Sequence, residues 1–573
     1  MCGIFGYIGK RTEAVKIVFS GIKTLEYRGY DSWGVAAVDK KKIFIQKQIG
    51  KIGNATLKNP PESSRAIAHT RWATHGGITV ANAHPHPDCS KTIAIIHNGI
   101  IENYDALKKN LRKHHRFLSE TDTEVAVHMI EEYMESLVFP DAVRKTFLSC
   151  TGSNALVAIK TNSDEIVAVK NGSPLVIGFG KGENFIASDA AGLLPYTNKV
   201  YYLEDNEMAV VTPETVEIRS VLTNRKKRIK ETILSWTTSG SGKGTYASFM
   251  EKEMQEQPDV ITRIAQNAAY TQSFAHYIQK SRGAYLIGCG TAYYAAVAGE
   301  YIFSKIAKRH INIAVASEFG YHLDFLNRDS LVIPISQSGE TMDIIESVKK
   351  ARGKGAKIMA LVNVPGSTLA RMADDTIAIS AGPEKAVAST KAFTAMLAHL
   401  ILLAGGPLTG VSDATRKVLS DTSITPLAKK LKNSEHIFTI GRGLSYPTAL
   451  EAALKIKEIS YIHAEGLAAG ELKHGTLALV EKGTPVIAFL PNDETYGANL
   501  AGAMEMKARG ALIIGISHKP HEIFDRYVHV QDAGIATIIP NVVVAQRLAY
   551  ALARARGLDP DMPRNLAKSV TVK

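Results

Sequence analysis

Two stretches in the C-terminal half of the chain repeat one another, and that repeat restricts the fold more than any other feature. AYLIGCGTAYYAA, from Ala284, matches IFTIGRGLSYPTA, from Ile437, at Ile287/Ile440, Gly288/Gly441, Gly290/Gly443, Tyr293/Tyr446 and Ala296/Ala449. LVIPISQSGET, from Leu331, aligns at nearly the same offset with PVIAFLPNDET, from Pro485, through Val332/Val486, Ile333/Ile487, Glu340/Glu494 and Thr341/Thr495. Each copy reads strand, turn, helix. The segment from 248 therefore predicts two tandem doubly wound α/β domains, 248–425 and 426–561, each a parallel sheet flanked by helices with its site at the strand C-terminal ends.

The N-terminal part has a different rhythm. IFGYIG, WGVAAV, RAIAH, TIAIIHNG, NALVAIK, EIVAVKNG and NFIASD are short apolar runs broken by turns. They predict many strands, with helices near Ala14–Leu25 and Glu124–Ser136, in a sheet-rich α+β domain over 2–220. Between the two parts, 221–247 carries the basic run NRKKRIK and then TTSGSGKGT, which reads as a linker. Gly242-Lys243 is no nucleotide loop, because Gly244 follows the lysine where Ser or Thr is needed and no strand precedes it.

The net charge is +13 over 573 residues. Lys and Arg are dispersed and no nucleic-acid motif accompanies them, so anionic metabolites are the expected partners rather than nucleic acid. The four cysteines, Cys2, Cys89, Cys150 and Cys289, form no CxxC pair, which favours a reducing cytosol. The N-terminus does not read as a signal peptide, and no apolar stretch is expected to approach the 18 residues of a membrane span, the best run near His399–Gly405 reading as a buried helix. His84, His86 and Cys89 lie close in sequence, but a missing fourth ligand and a Pro-rich loop argue against a metal there. No metal and no cofactor are expected.

The two repeats are unequal in chemistry. The first follows its strand with Ser336-Gln337-Ser338-Gly339-Glu340-Thr341, where the second has Leu490-Pro491-Asn492-Asp493. Three hydroxyls and an amide around a glycine, placed before a helix whose first N–H groups lack partners, suit a phosphate. One serine there would be only a cap. Neither GK[ST] nor a ribose-binding acid is present, so a sugar phosphate is favoured over a nucleotide.

Cys2 becomes an N-terminal residue once Met1 is removed, and its α-amine can then act as base for its own thiol. By position alone it is as readily a small buried apolar group. Neighbouring segments tip the balance. Asn98-Gly99 in HNGIIEN can form an oxyanion hole, Arg71 in AHTRWATHGG can grip a carboxylate, and Asp122 in SETDTE can accept an ammonium. In the second repeat, Lys455 and Glu458 share a helix face. Taken alone they are an exposed ion pair; with His474 in GELKHG they make an acid–base site. The tail at 562–573 carries Lys568, whose residues alone leave open whether it folds back or stays in solvent.

Together these segments resemble a known family. MCGIFGYIG, LEYRGYDSWG, TRWATHG, NAHPH, HNGIIEN and SETDTE resemble the glutaminase domain of class II amidotransferases, with its αββα N-terminal-nucleophile fold. GCGTAYYA, SQSGET, NVPGST, VASTKAFT, LKIKEISYIHAE, GELKHG and PRNLAKSVTV resemble the paired sugar-isomerase (SIS) domains of the glutamine–fructose-6-phosphate amidotransferase family. The resemblance implies glutamine and fructose 6-phosphate as substrates, glucosamine 6-phosphate as product, and a homodimer. It makes Cys2 the nucleophile and Asn98 and Gly99 the oxyanion hole, with Arg71, Asp122, Arg28, His75 and Gly76 at the glutamine and Trp72 gating an internal ammonia channel. Ser336, Gln337, Ser338 and Thr341 would bind the sugar phosphate, with Thr291, Val387 and Ser389 completing the pocket. Lys568, partly desolvated by the folded-back tail, would form a Schiff base. Glu458, with Lys455 nearby, would move a proton between C2 and C1, and His474 of a second subunit would assist ring opening. One departure is Ala292, where the family often has serine, so a sugar-hydroxyl contact is expected to be lost. The rival enzymatic reading is an SIS-type isomerase or deaminase using free ammonia, against which Cys2 and its pocket argue. A sugar-phosphate-sensing regulator would carry a helix-turn-helix, and none is found.

Overall fold

Alternation along single strands sets the layers of the N-terminal unit. In the strand Gly3–Gly9, Phe5 and Tyr7 point one way and Ile4 and Ile8 the other, and all four are buried. Phe5 and Tyr7 pack with Val15, Val18 and Ile22 of the helix Ala14–Thr24. Ile4 and Ile8 join Ile67 and Ile186 against Ile96, Val157 and Val211 of a second sheet. That second sheet packs its outer face, through Ile95, Leu156 and Val169, on the helices Glu124–Tyr133 and Phe139–Ser149. The order is helix, sheet, sheet, helix, the αββα arrangement expected.

The structure, a computed structural model, describes residues 2–234 and 242–570. It divides into two units, Met1–Ser241 with Ser569–Lys573, and Gly242–Lys568. Met1, the expected linker's 235–241 and the tail's 571–573 lie outside the described residues.

In the first unit one sheet has eight strands and the other seven. Gly3–Gly9 lies between Glu183–Ala187 and Arg65–Arg71, antiparallel to both, so Cys2 emerges beside the end of Arg65–Arg71. Ile93–Gly99 runs antiparallel to Asn154–Lys160 in the other sheet and ends in Asn98 and Gly99. The linker begins later than expected. Asn224 turns the chain with φ 58°, and Lys226–Lys227 pairs with Val216–Ser220, while Thr232–Ile233 pairs with Lys199–Tyr202. A polar edge strand lacks an apolar signature, and Lys227 is held to the buried Glu207 at 2.7 Å.

In the second unit each repeat forms a five-stranded parallel sheet. Gly283–Gly288 lies between Asn312–Val315 and Ser330–Ser336; correspondingly, His436–Gly441 lies between His463–Ala468 and Pro485–Leu490. One expectation is corrected here. Gly534–Ala555 has 22 residues and mean hydropathy 1.4, enough to cross a membrane by length and composition. The helix is mostly buried, with Val543, Leu548 and Leu552 inside the second repeat's core, which is why it is apolar over so long a run. Among the described residues no other helix passes that test.

Candidate active site

In the first unit, main-chain order brings Cys2 to the end of strand Arg65–Arg71. The Trp72 N–H donates to Cys2 Sγ at 3.3 Å, and the thiol faces Trp72 O at 3.6 Å. The Cys2 carbonyl accepts from Asn98 Nδ2 at 2.9 Å and from Arg28 Nε at 3.2 Å. Gly99 follows with φ 127°, and a Cβ there would lie 2.0 Å from Ser153 O, so only glycine fits the backbone that carries this N–H.

The Asn98 amide is oriented by a residue the sequence reading did not single out. His69 Nε2 lies 3.1 Å from Asn98 Oδ1 and 3.0 Å from His97 O. Both are acceptors, so Nε2 carries the hydrogen, and Asn98 must turn its NH₂ toward Cys2. His69 is fully buried and stacks on His84 with ring centroids 4.2 Å apart. Burial pushes its pKa down to about 3. A buried neutral imidazole binds no proton while the unfolded chain's does, so stability is full above about pH 6.5 and falls as pH drops toward 3. The slope is up to about 1.4 kcal/mol per pH unit in that window. Thermal melts at pH 7.5 and 5 are expected to show a drop in the first unit's Tm, and His69→Gln should shrink it. An equal drop in the variant would remove His69 as its source.

Arg71 is buried and donates to three loop carbonyls: His75 O at 2.5 Å, Gly76 O at 3.0 Å and Gly77 O at 2.9 Å. Burial lowers its pKa, against the pull of Cys2, Asp31 and Asp122. It thus shapes the 75–77 loop. His75 Nδ1 in turn donates to Glu120 O at 3.1 Å, next to the segment carrying Asp122, whose Oδ2 accepts from Ile101 N at 2.6 Å. Arg28, expected at the glutamine, is 1% exposed and bound to Cys2 O and to Asp189 at 3.3 Å, so it holds the backbone of Cys2.

In the second unit the Ser336–Thr341 loop closes on itself. Ser336 Oγ accepts from Gly339 N at 2.9 Å, and Ser338 Oγ accepts from Glu340 N at 3.2 Å. Gly339 has φ 67°, and a Cβ would sit 2.1 Å from Ser367 Oγ. Thr341 stands at the N-cap of Met342–Gly353 without a capping bond from its side chain. Buried Ser336 therefore braces the loop, while Gln337, Ser338 and Thr341 are partly exposed around the helix N-terminus. Ala292 packs in the apolar core of this repeat.

Lys455 is no surface pair. It is fully buried, with Glu458 Oε2 at 2.5 Å and Glu451 Oε1 at 3.4 Å, and Thr291 Oγ1 donates to Glu451 at 3.3 Å. Burial works against the Lys455 ammonium, but the two carboxylates outweigh it and hold its pKa above the ordinary lysine value. Burial pushes Glu451 up to about 8 despite Lys455. Partly exposed Glu458 is the closer counterion and the group solvent can reach. Lys568 is likewise buried, with Nζ 2.5 Å from Glu384 Oε2. In the described part of the tail, the Lys568 side chain is set against a carboxylate. Burial tends to raise Glu384, and Lys568 with the Ala392 and Thr390 N–H groups overrides it, leaving its pKa lowered. Ser389 Oγ donates to the same carboxylate at 3.0 Å, and the Val387 N–H donates to Asp561 O at 3.0 Å. His474 is exposed, on the short helical turn Leu472–His474.

Two domain families match this chain: the SIS domain at residues 277–404 and 430–553, and the glutamine amidotransferase domain at 69–195. Full-length relatives agree. The glutamine–fructose-6-phosphate aminotransferases (isomerizing) of Pyrococcus horikoshii and Thermococcus kodakarensis are each 43% identical over 605 residues, and that of Thermus thermophilus is 40% identical over 609, all covering 100% of both chains. The chain belongs to the glutamine–fructose-6-phosphate aminotransferase (isomerizing) family. Among solved structures, the C-terminal domain of the glucosamine-fructose-6-phosphate aminotransferase of Francisella tularensis matches with TM-score 0.51 and 33% identity, covering 56% of this chain and 100% of that one.

For a member of the aminotransferase family, the sequence reading had passed over three acids that hold site residues. Asp189 anchors Arg28, Glu384 anchors Lys568 and Glu451 anchors Lys455. Only Glu451 left a signal, four residues before Lys455 on one helix; the partners of the other two are 161 and 184 residues away.

Proposed function

We propose that the chain transfers the amide nitrogen of glutamine to fructose 6-phosphate and isomerises the product to glucosamine 6-phosphate, the entry to amino-sugar synthesis. The observation that carries this reading is Cys2 set against an Asn98 amide oriented by His69, on the same chain as the hydroxyl-rich Ser336–Thr341 loop at a helix N-terminus. The glutaminase domain is assigned to 2–233, the two SIS domains to 248–425 and 426–561, and the tail from 562 to the sugar site.

With Met1 removed, the Cys2 amine takes the thiol proton and Sγ attacks the glutamine amide carbon. Asn98 Nδ2 and the Gly99 N–H stabilise the oxyanion. Asn98 now donates to Cys2 O and must turn to the substrate, which Arg28 permits by keeping its own hold on that carbonyl. Arg71, with the 75–77 loop, takes the glutamine carboxylate and Asp122 its ammonium. Ammonia then leaves as the acyl-enzyme forms. At neutral pH free ammonia is mostly protonated and not nucleophilic, so internal delivery keeps it reactive. Trp72, whose N–H donates to Cys2 Sγ, is assigned as the gate.

At the second site, Gln337, Ser338, Thr341 and the helix N-terminus bind the phosphate, braced by Ser336, and Thr291, Val387 and Ser389 line the sugar. Lys568 forms the imine, Glu458 moves the C1–C2 proton beside Lys455, and exposed His474 acts in the neighbouring copy of a cytoplasmic homodimer.

Incubation of glutamine with candidate sugar phosphates, read by product mass, tests the reading. Glucosamine 6-phosphate from fructose 6-phosphate and glutamine supports it. Product formed only when ammonium salt replaces glutamine would favour the free-ammonia enzyme. Trp72→Ala is expected to keep glutamine hydrolysis and lower the glucosamine 6-phosphate formed per glutamine consumed. An unchanged ratio, measured by coupled glutamate and amino-sugar assays, would leave Trp72 a packing residue.

A further inference from the structure

Cys89 was passed over as a metal ligand because its sequence neighbours His84 and His86 supply no fourth donor. The fold sends those histidines elsewhere, His84 onto His69 and His86 Nε2 to Thr121 Oγ1 at 3.2 Å. Cys89 instead meets three residues from farther along the chain. Its Sγ lies 3.6 Å from His115 Nδ1 and 3.8 Å from His128 Nδ1. Glu131 Oε2 lies 3.1 Å and 3.2 Å from the same two nitrogens. All four donor atoms fall within 4.8 Å of one another.

We propose that Cys89, His115, His128 and Glu131 form a structural Zn²⁺ site in the glutaminase unit. Zinc binds thiolate at about 2.3 Å and imidazole or carboxylate at about 2.0–2.1 Å, which places neighbouring donors of a tetrahedron roughly 3.3–3.6 Å apart. Four of the six edges observed here are 3.1–3.8 Å, and all six lie within 4.8 Å. A sulfur, two imidazoles and one carboxylate suit zinc rather than calcium or magnesium, which take oxygen.

The outer contacts favour a cation over hydrogen bonds alone. His115 Nε2 faces Glu132 Oε1 at 3.3 Å, and His128 Nε2 faces Glu124 Oε1 at 3.9 Å. A neutral imidazole has one N–H, and with Nε2–H of His115 directed at Glu132 its Nδ1 presents a lone pair to a sulfur and a carboxylate oxygen. His128 Nε2 makes no hydrogen bond, and its Nδ1 faces the same sulfur and oxygen. A metal among the four turns that electron-rich convergence into coordination, with the carboxylate–histidine–metal arrangement typical of such sites. Cys89 loses its thiol proton on binding. Four protein donors leave no open position, so the site is structural rather than catalytic. The histidines are buried, while Cys89 is exposed and Glu131 partly so, which gives the ion an entry side.

The site joins three segments: the loop after His86–Pro87, the stretch around His115, and helix Glu124–Tyr133. The same outer carboxylates reinforce the joint. Glu124 accepts from Leu118 N and Ser119 N at 2.7 Å each, and Glu132 accepts from Arg112 N at 2.7 Å. Asp122 lies between His115 and the helix, so a zinc there would steady the segment assigned to the glutamine ammonium.

The test uses the full chain, reduced, incubated anaerobically with Zn²⁺ and desalted. Metal content by plasma mass spectrometry should be one zinc per chain, falling roughly tenfold or more in Cys89→Ala/His128→Gln. Co²⁺ in place of zinc should give tetrahedral d–d bands and a thiolate charge-transfer band that Cys2→Ala and Cys289→Ala retain and Cys89→Ala loses. Wild-type chain that holds no stoichiometric zinc and shows no cobalt–thiolate band overturns the proposal, as does a band that survives Cys89→Ala. Because the wild-type readings need no variant to fold and no turnover, they stand apart from the glutaminase assignment.

Discussion

Cys2→Ala is expected to abolish glutamine-dependent glucosamine 6-phosphate synthesis, by roughly a thousandfold or more, since a lost nucleophile has no substitute in the site. The thiol's neighbours are the Trp72 N–H and carbonyl, so removing Sγ leaves the strand pairing of Gly3–Gly9 intact. The sugar site is built from another part of the chain, and synthesis from fructose 6-phosphate with high ammonium at alkaline pH should therefore persist in the variant. Intact mass of the wild-type protein should show Met1 removed, because a peptide bond on the Cys2 nitrogen would leave the thiol without its base. Steady-state glutamate release and amino-sugar formation measure both effects. Wild-type glutamine use by the Ala variant would place the nucleophile elsewhere.

Much of this arrangement was legible in the sequence. The strands of the first unit appear where the short apolar runs put them, because most are buried on both faces and so read as near-continuous apolar runs. The internal repeat became two parallel sheets with the same strand order. What the sequence hid are contacts between distant positions. Arg28 was placed at the glutamine, and nothing in LEYRGYDS marks its partners: only folding brings Cys2 O and Asp189 to it. His69 lies in an ordinary strand, and its role depends on Asn98, 29 residues later, in the other sheet. Lys455 and Glu458 looked like a solvated pair because their spacing is the same buried or exposed; burial by the rest of the repeat decides the matter. Lys226–Lys227 escaped notice because an edge strand needs no apolar face.

Fructose 6-phosphate and borohydride, without glutamine, are expected to label Lys568 covalently. The Nζ lone pair attacks the open-chain C2 carbonyl, water leaves, and hydride reduces the imine to a stable secondary amine. The structure adds a condition to this step. Nζ is 2.5 Å from Glu384 and buried, so attack requires the ammonium proton to pass to that carboxylate or to the sugar as it enters. Glu384 is the carboxylate within reach of that proton and keeps its position through Thr390 N and Ala392 N, which hold its other oxygen at 2.9 and 3.0 Å, but the same contacts lower its pKa, so the transfer depends on the arriving sugar. Lys568→Arg preserves the charge and the pairing with Glu384 but cannot form an imine. It should lose the adduct and nearly all synthesis, while glutamine hydrolysis, carried by the first unit, continues. Peptide mass mapping locates the adduct, and the paired assays measure the two activities. An adduct on Lys455, or full synthesis by Lys568→Arg, would assign the imine to another amine. Lys455 is a poor rival on physical grounds, because two carboxylates hold it charged in a site with no exposed nitrogen.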